Sequence, residues 1–120
     1  MANESSVMAG FSARFQKCWI CGQRGTDARP LQIHHICRGP HRKAAREAEC
    51  SLIRTCGNCH STQLDSMPID WQLALVAIYN PSAYDRALVN TLRHRAPDAV
   101  DERLVIMAMK GWFNRKGLYP

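Results

Sequence analysis

Two cysteine pairs, Cys18-Trp19-Ile20-Cys21 and Cys56-Gly57-Asn58-Cys59, stand 34 residues apart. Two residues between cysteines let one tight turn aim both sulfurs at a single ion. Two such turns complete a tetrahedral four-thiolate zinc site. Gly22 and Gly57 suit turns in which backbone amides point at sulfur. A closed site of this kind is structural and offers no open coordination position, so any reaction chemistry must lie elsewhere. A redox C-x-x-C would normally stand alone in a βαβ setting, which the chain lacks. Cys37 and Cys50 stay outside the scheme and read as small core residues.

Four of the five histidines fall between positions 34 and 60. Residues 31–37, LQIHHIC, form a short β-prone run. Side chains alternate along a strand, so Leu31, Ile33, His35 and Cys37 share one face while Gln32, His34 and Ile36 share the other. Adjacent histidines cannot then easily bind one ion, but they can divide labour: one ligates and the other faces a water or phosphate. His60 directly follows Cys59, so the zinc site would fix its position. A helix is expected to start near here and run through Thr62, Gln63 and Leu64, its N-terminal dipole favouring a phosphate.

A histidine pair at a strand end, followed later by a histidine just after a C-x-x-C, resembles the HNH nuclease family. Cys18, Cys21, His34, His35, Cys56, Cys59 and His60 fall in the family's order over about residues 18–65. The resemblance implies a ββα-metal fold, a hairpin with a helix across it holding one divalent ion. It also implies roles: His34 and His60 as ligands of a catalytic Mg²⁺, Mn²⁺ or similar ion, and His35 as the general base that activates water. The expected substrate is double-stranded DNA, nicked or cut to 5′-phosphate and 3′-hydroxyl ends. An imidazole with pKa near 6.5 suits a base at neutral pH.

The chain departs from the pattern at one place. The family's central Asn, which orients the loop and the base, corresponds to Ser51, nine residues before His60. A serine lacks the amide's reach and double function. Leu64 stands where some members carry a further histidine. Between the strands, Arg38, His41, Arg42, Lys43 and Arg46 form the densest basic stretch and are the expected DNA contacts, salt-sensitive and largely blind to sequence. The second reading, from a different class, is a zinc-stabilised DNA-binding module that keeps the fold without efficient catalysis. A third, a zinc-ribbon protein-interaction module, leaves the His pair unexplained.

These residues need elements to hold them. A chain of 120 residues, 46% apolar with a net charge of +6, has room for one domain with a core, and its basic balance suits a polyanionic partner. The expected architecture is α+β: a zinc-stabilised core over 1–66, then a helical extension over 67–120 packed on it. Residues 1–66 carry nine Lys/Arg against five Asp/Glu, and 67–120 seven against five. The cysteine-histidine part therefore reads as the working end and the remainder as scaffold, with Arg93, His94, Arg95, Arg115 and Lys116 as alternative backbone contacts. Three helices are expected there. Asp70 would cap the first, which carries Trp71, Leu75, Ile78 and Tyr79. Asn80-Pro81 would open the second, with Tyr84, Leu88 and Leu92 on one face. Ala96-Pro97-Asp98 would open the third, ended by Gly111 or Gly117.

Glu4 and the absence of a basic residue ahead of an apolar run argue against a signal peptide. The longest apolar run, residues 73–79, is far short of the roughly 20 residues a membrane span needs. The expected setting is a reducing cytoplasm, of a bacterium or a phage-infected cell, with thiols kept free for metal and with a DNA-processing complex as a partner.

Overall fold

The structure is a computed structural model describing residues 6–37 and 48–115. Its strands are the two aliphatic and β-branched segments that carry the histidine pair and the first cysteine of the second pair. β1 (Leu31–His35) and β2 (Leu52–Cys56) run antiparallel, with Leu31 opposite Cys56, His34 opposite Ile53 and His35 opposite Leu52. Alternation gives the hairpin two faces. Gln32 and His34 point toward α2 (Gly57–Thr62): a methyl group added at Gly57 would lie 3.2 Å from Gln32 Nε2, and His34 meets His60. On the other side Arg54 Nε donates to the Phe15 carbonyl at 2.9 Å.

α2 begins three residues before His60 because Cys56 caps it, its sulfur accepting the Cys59 N–H at 3.4 Å. It also stops at Thr62 instead of running through Leu64, and a 3₁₀ turn (Leu64–Ser66) follows. His60 therefore sits in the last turn, at the negative end of the helix dipole. That end favours a cation, and the helix N-terminus expected near His60 lies instead at Cys56–Gly57, beside the cysteines.

Three further helices follow: α3 (Ile69–Tyr79), α4 (Arg86–Leu92) and α5 (Glu102–Arg115). Their starts differ from the sequence expectation. Asp70 lies inside the first turn of α3, and Pro68 occupies the cap position without a side-chain cap bond. Asn80-Pro81 opens a turn, with Ala83 N–H on the Asn80 carbonyl at 3.0 Å; the cap of α4 is Asp85, whose carboxylate accepts the Leu88 N–H at 3.0 Å. Leu88 is exposed as a result. Pro97 likewise precedes a turn, and Asp101 accepts the Arg103 N–H at 2.8 Å where α5 begins. Proline's fixed φ serves the second position of a turn as well as the first residue of a helix, and at Pro81 and Pro97 it serves the turn.

Gly111 ends nothing. It lies within α5, where a methyl group would come 2.9 Å from the Trp71 indole, so its size lets α5 approach α3. Gly117 lies outside the described residues. α1 (Ser6–Arg14) had no counterpart in the sequence reading; it buries Phe11 completely. From Phe11 an aromatic series runs through Phe15 and Trp19 to Tyr79, with ring centroids 4.9, 5.2 and 5.4 Å apart. Trp112 Nε1 then donates to the Tyr79 hydroxyl at 3.0 Å. One apolar core, including Leu52, Leu73, Val105 and Trp112, thus joins the hairpin to the helices. Among the described residues the fold is α+β, one two-stranded antiparallel sheet and five helices. No helix among them is long and apolar enough to cross a membrane.

Candidate functional site

The first knuckle is a turn bridged at its base. Lys17 pairs with Arg24, Cys18 N–H donates to the Gln23 carbonyl at 2.9 Å and Gly22 N–H to the Cys18 carbonyl at 2.9 Å. Gly22 has φ of 77°, a left-handed conformation that costs glycine little, so here glycine is required by the backbone. The second knuckle is the junction of β2 and α2. Together they bring the sulfurs of Cys18, Cys21, Cys56 and Cys59 within 4.8 Å of one another. A zinc–sulfur bond of about 2.3 Å sets the edge of a tetrahedral four-sulfur site at about 3.8 Å. Cys21 and Cys56 are 3.9 Å apart, too far for a disulfide and close to that edge.

The thiols differ in acidity. Burial pushes the Cys18 thiol up, but backbone N–H groups of Cys21, Cys56 and Ile20 outweigh it and bring it down to about 6. Cys59 is pushed up by burial and by its three sulfur neighbours, and Cys21 is raised by burial. Four thiolates this close repel one another unless they share a cation. The donor set and spacing fit a metal such as zinc.

A second cluster lies one turn of α2 further on. His34, His60 and Asp65 bring ligand atoms within 4.8 Å of one another. His60 Nε2 is 3.1 Å from His34 Nδ1 and 3.7 Å from an Asp65 carboxylate oxygen. Two nitrogens at right angles on an ion, each about 2.1 Å away, lie about 3.0 Å apart, so the histidine pair already has the edge of an octahedral site. The three residues occupy different environments: His34 is buried, His60 half-buried and Asp65 exposed. One side of the cluster therefore opens to solvent; the cysteine site also has one exposed member, Cys21, but four thiolates would fill the coordination of its ion.

The structure brings together His34 and His60 as the sequence suggested and adds Asp65, which the sequence reading missed. Asp65 stands five residues after His60, off the helical spacing of four. It returns to the cluster because α2 ends at Thr62 and the 3₁₀ turn reverses the chain. His35 does not join the cluster. It lies half-buried at the end of β1, its side chain alternating to the face opposite His34.

Ser51 is fully buried at the entry to β2. Its hydroxyl accepts the Cys37 N–H at 3.1 Å, and its carbonyl accepts the Ile36 N–H at 2.8 Å. These bonds pin the end of β1, two residues past His35, to the start of β2. Cys37 and Cys50 are both buried beside this clamp, as small core residues would be, and burial pushes the Cys50 thiol up to about 11. Arg38, His41, Arg42, Lys43 and Arg46 lie outside the described residues. No protein-family model, curated protein or solved structure matches the chain.

Proposed function

We propose that the protein is a metal-dependent endonuclease that hydrolyses phosphodiester bonds of double-stranded DNA, with an HNH-type ββα-metal core over residues 1–66 and helices over 67–120 as its support. The observation that carries this reading is the convergence of His34, His60 and Asp65 into an open ligand set at a hairpin–helix junction. An ion so held supplies Lewis-acid stabilisation of the charge that builds on the phosphate and the leaving 3′ oxygen. The remaining steps belong to the chain. His35 is the base in this reading; it leaves β1 on the face opposite His34, so its imidazole must swing round the strand end to take the proton from the attacking water. The products are a 5′-phosphate and a 3′-hydroxyl that takes its proton from solvent. Ser51 holds the backbone beyond His35 and so limits where that imidazole can swing. Arg38, His41, Arg42, Lys43 and Arg46 contact backbone phosphates in the same reading.

Ser51 also favours the second reading, a DNA-binding module with weak or no catalysis. Its one hydroxyl is engaged by Cys37, leaving no amide group to orient the base as the family's Asn does. Incubation of the zinc-loaded protein with supercoiled plasmid in Mg²⁺, Mn²⁺ or Ni²⁺, against EDTA, separates the two. The enzyme reading expects nicking that needs the added metal and falls about 10²–10⁴-fold in His35→Ala. Retarded plasmid without nicking in any metal favours the module. Nicking unchanged by His35→Ala removes the base assignment.

A further inference from the structure

We infer that Gln72, on α3, is a positioning residue that fixes the tautomer of His34 and so keeps Nδ1 available to a cation. Gln72 is the buried polar residue in a helix whose neighbouring buried positions are Leu73, Ala74, Leu75 and Val76. Its amide touches two groups. Nε2 donates to the Met67 carbonyl at 2.8 Å, and Oε1 lies 2.8 Å from His34 Nε2. A backbone carbonyl can only accept, so the amide must present its NH₂ to Met67 and its oxygen to His34. The opposite orientation would set two oxygens against each other in a buried site. An amide oxygen also only accepts, so His34 Nε2 must carry a proton. In the neutral imidazole the other nitrogen is then a lone pair, and that nitrogen is the one facing His60 at 3.1 Å.

The sequence of constraints runs from the backbone inward. The 3₁₀ turn and the extended link into α3 set the Met67 carbonyl, Met67 sets the amide, and the amide sets the ring. Ligating histidines commonly have such a partner on the second nitrogen, and its loss typically weakens metal binding about 10–100-fold. Gln72 comes from the helical half of the chain, so α3 contributes to the site beyond covering the core. The inference rests on reading His34, His60 and Asp65 as a cation site, and not on what that cation does to DNA.

Two measurements on the zinc-loaded full chain test it. Long-range ¹⁵N–¹H correlation without added divalent ion reads the His34 tautomer directly; the expected form is Nε2–H in the wild type. Titration with Mn²⁺ then compares variants. Gln72→Leu should bind Mn²⁺ about 10–100-fold more weakly and lose the single tautomer. Gln72→Glu keeps an acceptor for Nε2–H but sets an oxygen against the Met67 carbonyl, so it should retain the tautomer while lowering stability. If Gln72→Leu does not fold, the His34 tautomer in Gln72→Glu carries the comparison, and an Nδ1–H form there overturns the role of Gln72. An Nδ1–H tautomer in the wild type, or unchanged Mn²⁺ affinity in Gln72→Leu, overturns the role of Gln72. A wild type that shows Nε2–H but binds no Mn²⁺ removes the cation site instead.

Discussion

Ser51 does with one hydroxyl and one carbonyl what holds the hairpin closed next to His35. Both bonds are buried, so Ser51→Ala leaves the Cys37 N–H without its acceptor where water cannot replace it. The expected cost is about 1–3 kcal/mol, read as a lower urea midpoint with an unchanged slope. His34 and His60 were visible in the sequence because a paired histidine and a histidine abutting a C-x-x-C are unusual spacings. Asp65 and Gln72 were not visible. Each is brought to the site by irregular backbone, the 3₁₀ turn at Leu64–Ser66 and the extended link Met67-Pro68 into α3, which leaves no periodic trace. Gln72 had the further disguise of lying in an apolar helix, where a lone amide looks like a tolerated surface residue.

Among the elements, the knuckles and the hairpin were the most legible, since two-residue spacings and a β-prone run impose their geometry locally. Helices in the second half were legible in number and less so in extent. The X-Pro signals at Pro81 and Pro97 mark turns, and aspartates downstream of them begin the helices. This assignment makes a direct prediction. Asp85→Ala removes the cap of α4 and should lower stability by about 1 kcal/mol in urea unfolding, whereas Pro81→Ala leaves the α4 cap intact. α1 was illegible because its stretch, SVMAGFSAR, lacks a polar-apolar stripe; Phe11, its buried residue, docks it through aromatic contacts that sequence spacing does not show, with Met8 against the core and Arg14 paired with Glu49.

At the scale of the whole molecule, one core spans both halves of the chain while the two ligand clusters sit at opposite ends of the short helix α2. Cys56 and Cys59 lie at its start and His60 in its last turn, so the cysteine site acts as the mount for the histidine site. Cys56→Ala should release about one zinc per chain and unfold the hairpin, seen as loss of far-UV and near-UV circular dichroism together. His60→Ala, by contrast, should keep the zinc and the fold, because its ring is half-buried and outside the main core. That contrast permits the most direct test of the central claim, that the open cluster is where a divalent ion supports phosphodiester hydrolysis. The measurement is the plasmid nicking rate against Mn²⁺ concentration for wild type, His60→Ala and Asp65→Asn proteins that each retain one zinc. The account predicts saturable nicking in the wild type, a half-saturation shifted upward in Asp65→Asn, and none in His60→Ala. Nicking by His60→Ala at the wild-type rate and Mn²⁺ dependence would contradict it.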